Sequence, residues 1–529
     1  MVRRSISARR PLVVSLAGIA ALVGALGLGL GVPGPQQQAD ASPPTTATIE
    51  PKPAPLAEQP LTLAGRIEAL IQAAELSEGT QLGISIVDLE TGETLFEHNP
   101  KLALNPASNA KLLTTAAALE RLGPEHRYAT RIWTDPEGIE DGVIAGKLYL
   151  QGGGDPSLVT GEIYELAGKL RAAGVKRIRG PIVVDAKRFD ADGFPPGFDK
   201  KNEFASYRAP GGALSVNYNT YEVHARPGKA IGDPPQLIAE PPVASIKLES
   251  EALTVAGNRN RLWVSTEQRR GKTIVTFHGE VGISNGPSSY RYPVADPSRY
   301  AGNLLALALR QRGIRLRKTK IEIGKVAEDA ELLATYRSET LSELCRAVNK
   351  WSNNFMAEQI LRTLVPDNGA TAAASLELLR AYTKDIGMPQ AGLVIGNGSG
   401  LYDNNMISPT AVTYLLAHVY ADFRIRSDYL ASLAIMGSDG TTRSRLRKSN
   451  AKGWVRVKTG TLDGVSALSG YAGAAGRDPI AFSILLNDLE RKQRSNARTL
   501  QDGIAELLAI EAAGIEAPPL GTSPTLATE

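Results

Sequence analysis

The hydrophobic pattern of this chain changes period twice, and that double change constrains the fold more than any composition figure. "LAGRIEALIQAAEL", from about Leu61, has helical spacing, and "QLGISIVDLETGETLFEHNP" then alternates as two strands turning at Glu90-Thr91-Gly92. A helix packed beside a hairpin follows from this. The next helix lies in "PASNAKLLTTAAALERLGP": Asn105-Pro106 favours its start, Gly123-Pro124 its end, and Leu112, Ala116, Leu119 and Leu122 form one apolar stripe. Near residue 134 short strand-like runs take over: "RYATRIWT", "GKLYLQGG", "RIRGPIVVDA", "TYEVHARPG", "ASIKLES", "RLWVST" and "TIVTFHGEV". Two helical stretches interrupt them, "GEIYELAGKLRAAG" and "RYAGNLLALALRQRG", so 134–325 reads as a separate α+β unit or two nested ones. From "AELLATYRSETLSELCRAVNKWSNNFMAEQILRTL" onward helices dominate again. "WVRVKTGT" and "DPIAFSILLND" return to strand character before a last helix, "ARTLQDGIAELLAI". A chain of 529 residues patterned in this way holds more than one domain.

The two ends read differently from the body. Arg3, Arg4, Arg9 and Arg10 precede an apolar run from Pro11 to Val32 in which Ser15 is the only polar side chain. Residues 1–41 are therefore an export segment, either a signal peptide with Ala39-Asp40-Ala41 as a small-residue cleavage site or a retained membrane anchor. The Pro/Thr/Ala-rich stretch 42–60 reads as a semi-extended linker, and 516–529 as a disordered tail. The 59 Lys+Arg against 55 Asp+Glu leave +4, with no basic block beyond the N-terminus, which excludes a dedicated nucleic-acid binder. The single cysteine, Cys345, rules out an internal disulfide; in the amphipathic "LSELCRAVNK" it reads as a small buried hydrophobe. His98, His126, His224, His278 and His418 show no metal-ligand spacing, and no metal or cofactor is expected.

Two patterns compete for a nucleophilic serine. Gly282-Ile283-Ser284-Asn285-Gly286 matches the nucleophile elbow, but Pro287 and "SSYRYPV" follow where the elbow demands a helix. The other has three parts in order: Ser108-Asn109-Ala110-Lys111 (S-x-x-K), Ser352-Asn353-Asn354 (S-x-N) and Lys458-Thr459-Gly460 (K-T-G), extended by Thr461. An i, i+3 pair lies on one helix face, so the Lys111 amine can reach the Ser108 hydroxyl, and a helix N-terminus favours a developing alkoxide. A lysine becomes a base near neutral pH when burial or a second cation, such as Lys458, lowers its pKa. Ser352 is placed to relay a proton and Asn354 to hold a substrate backbone. An exposed edge of "VRVKTGT" would pair an extended peptide, with Thr459 and Thr461 on its terminal carboxylate. Ser108 alone would read as an N-cap; the three parts together favour catalysis.

Together with "LQGGGDPSL", "YRAPGGALSVNYN", "GNGSGLYDNN", "GSDGTTRSRL" and "VKTGTLDGVSALSGYAG", these motifs resemble the class C low-molecular-mass penicillin-binding proteins, the D-alanyl-D-alanine carboxypeptidase/endopeptidases. The resemblance runs from about residue 62 to 512. It implies an α/β (α+β) serine transpeptidase/β-lactamase-like domain, an antiparallel sheet flanked by helices, over 61–133 and 326–515, interrupted by a β-rich insertion at 134–325. It implies acylation of Ser108, Lys111 as base, Ser352 as the second catalytic hydroxyl, and Asn354, Lys458, Thr459, Gly460 and Thr461 as substrate-binding residues. Its substrates would be peptidoglycan stem peptides, cleaved at D-Ala-D-Ala termini or D-Ala cross-links, with β-lactam antibiotics as inhibitors. The expected location is the periplasm or the outer face of the cytoplasmic membrane, with membrane contact only through an uncleaved N-terminal segment. The alternatives are a serine β-lactamase, for which no E-x-x-L-N-like segment exists, and a silent cell-wall-binding protein. The chain departs from the family at Asn397, where an acidic residue often precedes "GSGL". It departs also at Asn202, five positions before Tyr207, where an acidic residue can read the substrate's diamino acid; Glu203 or Asp199 are the candidate replacements and Tyr207 a candidate contact.

Overall fold

The computed structural model describes residues 62–514 apart from 199–204, 318–319, 367 and 403–404. The export segment, the linker, the tail, and Asp199, Asn202 and Glu203 lie outside the described residues.

A six-stranded antiparallel sheet carries the site. Its strands are β1 (Gln81–Asp88), β2 (Thr94–His98), β3 (Ala434–Ile435), β4 (Val455–Leu462), β5 (Val465–Ala472) and β6 (Ile480–Asn487), in the spatial order β3-β4-β5-β6-β1-β2. The expected hairpin is β1 with β2, and β1 also pairs along its whole length with β6, from Gln81↔Asn487 to Asp88↔Ile480. All eight residues of β6 are buried, because helices cover both faces of the sheet. Alternation sorts its side chains. Ile480, Phe482, Ile484 and Leu486 pack with Ile67 of α1 (Leu63–Ala73) and with Leu500, Ile504 and Leu508 of the C-terminal helix Arg494–Ala512. Ala481 and Leu485 share the opposite core with Leu112 and Ala116 of α2 (Ala110–Leu122). Helix α2 is buried almost all round, and it ends as expected at Gly123, whose φ of +82° few other residues adopt.

The same helical core contains α3 (Leu341–Trp351) and α4 (Asn354–Thr363), together with the fully buried Cys345. The middle of the chain builds a five-stranded sheet in the order Ile321–Ile323, Ile182–Asp185, Leu148–Gln151, Ala129–Thr134, Glu331–Arg337. Helices Thr160–Ala172 and Pro297–Gln311 pack against one hydrophobic core with it. Smaller sheets follow, among them a three-stranded one of Ser288–Pro293, Thr220–Arg226 and Gln236–Glu240.

One segment differs from the sequence reading. "AELLATYR" has helical composition, yet Glu331–Arg337 is a strand, antiparallel to Ala129–Thr134 with a bulge between Leu332 and Ala334. A seven-residue run is too short for its period to decide, and a waiting partner strand overrides the helix propensity of Ala, Leu and Glu. At the rejected elbow, strand Lys272–Gly282 leads by a turn into strand Ser288–Pro293, with no helix after Ser284. Among the described residues no helix is long and apolar enough to cross a membrane.

Candidate active site

The chain enters the S-x-x-K motif through a turn clamped from three sides. Asn105 N–H donates to Asn487 Oδ1 at 2.7 Å, Asn487 Nδ2 returns a bond to Asn105 O at 3.0 Å, and Asn105 Oδ1 accepts from Ala107 N–H at 2.8 Å. These bonds hold Ala107 at a φ of +45°, an unfavourable region for a residue with a side chain. Two glycines press on the turn. A Cβ on Gly400 would stand 1.8 Å from Ala107 O, and one on Gly460 would stand 2.5 Å from Pro106 O. The K-T-G glycine is thus the point where β4 closes on the serine turn. Ser108 lies in a 3₁₀ turn, Ala107–Asn109, and caps no helix. Its hydroxyl is left for Lys111.

Lys111 is fully buried, with its Nζ 2.9 Å from Ser108 Oγ, 2.7 Å from Asn354 Oδ1 and 2.5 Å from Ser399 O. An ammonium donates to all three. A neutral amine has two N–H groups and one lone pair, and Asn354 Oδ1 and the Ser399 carbonyl can only accept. The two N–H groups therefore go to them, and the lone pair faces the hydroxyl of Ser108. Burial lowers the Lys111 pKa from 10.5 to about 7, against the opposing attraction of the Glu358 carboxylate. Both forms of the amine are populated near neutral pH.

Ser352 stands between α3 and α4 at a φ of +59°, and Asn353 caps α4 by accepting from Met356 N–H at 3.0 Å. Lys458 Nζ donates to Ser352 Oγ at 3.0 Å and to Thr459 O at 2.7 Å. Lys458 is also fully buried, and its pKa falls well below the ordinary value, first through burial and then through the charge of Lys111. Three motifs far apart in sequence thus meet around one serine.

The second turn of helix α4 bears a carboxylate that the motif reading missed. Glu358, at i+4 from Asn354, accepts from Ser399 N–H at 2.7 Å and from Gly398 N–H at 3.2 Å, fixing the loop whose carbonyl receives Lys111. Burial raises the Glu358 pKa, opposed by these bonds and by Lys111. The available signal was the i, i+4 spacing from Asn354. In the same loop Asn397 is buried: its Oδ1 accepts from Gly400 N–H at 2.7 Å while its Nδ2 donates to Leu401 O at 2.8 Å. An ionised acid has no donor for that carbonyl, so the amide at this departure from the family closes the loop by itself.

Strand β3 pairs only with Arg456 and Val457, so from Lys458 onward that edge of β4 has no strand partner among the described residues. The edge borders a cleft of about 300 Å³ lined by Ser108, Ser352, Thr441, Thr459, Gly460 and Thr461 and continuing to Ser444, Arg445, Ser466, Ala467, Arg498 and Gln501. Lys111, Asn354 and Lys458 lie beneath this lining. Thr441, also unread in the sequence, shares a hydrogen bond of 2.8 Å with Thr459. No Asp or Glu is among the residues that line the cleft. Tyr207 is not among them either: it is 52% exposed in the turn Ser206–Arg208. No histidine is among the residues that line the cleft; His418 lies on Glu120 at 3.1 Å and His278 on Glu251 at 3.0 Å.

Comparison with known proteins follows the same residues. Residues 63–509 match the D-Ala-D-Ala carboxypeptidase 3 (S13) family. A D-alanyl-D-alanine carboxypeptidase of Actinomadura sp. (strain R39) is 32% identical over 470 residues, covering 85% of each chain. The D-alanyl-D-alanine carboxypeptidase DacB of Haemophilus influenzae is 24% identical over 436 residues, 79% of this chain and 89% of its own. The crystal structure of penicillin binding protein 4 (dacB) from Haemophilus influenzae shares the fold, with a TM-score of 0.72 at 21% identity, covering 84% of this chain and 99% of that one. Since the family match runs unbroken through the β-rich middle as well as both flanks that build the cleft, the chain belongs to the D-Ala-D-Ala carboxypeptidase 3 (S13) family.

Proposed function

We propose that Ser108 is the acylated nucleophile of this serine DD-peptidase, that Lys111 is its base, and that peptidoglycan stem peptides are its substrates. The carrying observation is the coordination of Lys111, where two obligate acceptors leave the neutral amine's lone pair to the Ser108 hydroxyl. An extended peptide pairs with the open edge of β4, and Asn354 holds its backbone. As Ser108 Oγ attacks the carbonyl of the penultimate D-Ala, its proton passes to Lys111. Backbone N–H groups of Ser108 and Thr461 receive the oxyanion. The C–N bond then breaks, and the departing amine takes the proton by way of Ser352, oriented by Lys458. Water hydrolyses the acyl ester, releases the shortened peptide and restores Ser108. Thr459 and Thr461 bind the carboxylate of the leaving D-Ala.

A β-lactam ring would acylate the same serine, a reading supported by the Haemophilus influenzae structure complexed with a β-lactam. Rapid turnover of that ester usually runs through a dedicated carboxylate that activates water. The cleft lining offers none, and the Glu358 carboxylate is occupied by two backbone N–H groups. The peptidase reading is therefore preferred to a β-lactamase. The test is labelling with fluorescent penicillin: wild type should hold the label, and Ser108→Ala should not take it. Label persisting on Ser108→Ala would sink the assignment, and rapid loss from wild type would favour the lactamase.

Two further readings belong to the proposal. The catalytic body comprises 62–128 and 338–514, with the middle inserted between; the pairing of Ala129–Thr134 with Glu331–Arg337 supports this, because it joins the two ends of the insertion. The protein acts outside the cytoplasm, supported by the arginine-flanked apolar run Pro11 to Val32.

A further inference from the structure

We infer that Lys350 and Asp439 are positioning residues: their ion pair locks the turn that carries Ser352 to the turn that carries Thr441, and so holds the Ser352 hydroxyl against Lys458. This role rests on the reading of Ser352 as proton relay, and neither Lys350 nor Asp439 is among the residues that line the cleft.

Each partner stands two positions before a hydroxyl of the cleft lining. Lys350, in the last turn of α3, precedes Ser352, and Asp439, beyond the end of β3, precedes Thr441. Lys350 is buried, at 8% exposure, and its Nζ donates to Asp439 Oδ2 in an ion pair. Asp439 Oδ1 accepts at 2.7 Å from the N–H of Ile435, the last residue of β3, so the carboxylate is tied to the sheet as well as to α3. The two turns also meet through their backbones: a Cβ on Gly440 would stand 2.6 Å from Lys350 O. From there the contacts close into a ring. Thr441 shares its hydrogen bond with Thr459, the neighbour of Lys458, and Lys458 Nζ donates to Ser352 Oγ.

Stability is a weak reason to bury a lysine here. An ion pair taken out of water gains little over two apolar side chains of the same size, because both charges lose their hydration. What the pair adds is direction, since a hydrogen bond needs one distance and one angle where an apolar contact can slide. Ser352 needs such a constraint. It sits at a φ of +59°, a conformation that persists only where its surroundings impose it, and Lys458 holds its hydroxyl from the other side.

The test is penicillin acylation by stopped flow, with the limiting rate and the half-saturating concentration read separately. Opening the β-lactam ring also releases a nitrogen that takes a proton. Lys350→Met should lower the limiting rate about tenfold or more while the half-saturating concentration stays within about twofold, and Lys350→Arg should recover part of the rate. The double variant Lys350→Met/Asp439→Asn strands no charge and keeps an acceptor for the Ile435 N–H. Its thermal unfolding should return toward that of wild type while the rate stays low. In a Ser352→Ala background Lys350→Met should cost less than about twofold, because the pair acts through that hydroxyl. A wild-type limiting rate in Lys350→Met, a double variant that regains rate together with stability, or an undiminished loss in the Ser352→Ala background would each overturn the inference. A wild-type rate in Ser352→Ala would instead overturn the relay reading beneath it, so the two failures are separable.

Discussion

An amine enclosed without water gives up its proton more readily, and at Lys111 this effect outweighs the attraction of the nearby Glu358 carboxylate. Because the base proposed for Ser108 is the deprotonated amine, penicillin acylation should accelerate as pH rises, with its midpoint at about 7. Glu358→Gln removes the negative charge that holds the ammonium, so the midpoint should move to lower pH; stopped-flow acylation across pH checks this, and a midpoint that stays or rises would contradict it. Gly460→Ala places a Cβ against Pro106 O, a backbone atom that cannot step aside. A displacement of the serine turn by about 1 Å should slow acylation roughly 100-fold with the circular-dichroism spectrum unchanged. That Ser108, Lys111, Ser352 and Lys458 would meet was legible because the motifs set these side chains at fixed spacing. The Ser399 carbonyl was not legible, since any residue carries one and only the folded loop brings it to Lys111.

Helix α4 works with two faces. Asn354 and Glu358, one turn apart, look toward Lys111. Phe355 and Gln359 look toward the middle region, Phe355 edge-on to Tyr218 with ring centroids 6.1 Å apart. The Gln359 amide accepts from Gly212 N–H at 3.1 Å and donates to Gly212 O at 2.7 Å. Tyr218 itself lies among three consecutive residues of positive φ, Asn217 to Asn219, so a strained loop is aimed at the helix that carries the second motif. Gln359→Ala strands the Gly212 N–H, while Gly212 O keeps the Ser215 hydroxyl at 2.8 Å; it should cost about 1–2 kcal/mol in denaturant unfolding, with slower acylation as α4 loosens. A cost confined to stability would show that the loop does not position α4. Helices here were legible from their stripes and caps. The strands Gln236–Glu240 and Ser288–Pro293 were missed, because each is defined by pairing with Thr220–Arg226 rather than by its own pattern. The boundary read at residue 133 falls inside strand Ala129–Thr134 for the same reason: its partner lies some two hundred positions on.

At the scale of the molecule, a strand-rich middle between helical flanks follows from the two changes of period and the antiparallel sheet flanked by helices from the family resemblance, whereas strand order was not legible. Nothing local in "QLGISIVD" names "IAFSILLN" as its neighbour. A protein shortened to residues 62–514 should keep penicillin acylation at close to the full-length rate, because every group assigned to the cleft lies within it; a large loss in the same labelling assay would give the N-terminal segment a role in the site. The pairing of β1 with β6 also sets an order in time. The centre of the sheet stays open until nearly all of the chain has been made, and loop closure over such a span is slow. A chain shortened to end at Gly473 should therefore fail to bury β1, read as early exchange of its amides. For a protein read as exported, that delay is useful: a thread that cannot finish folding before its own last strand arrives remains slack enough to be passed through a pore.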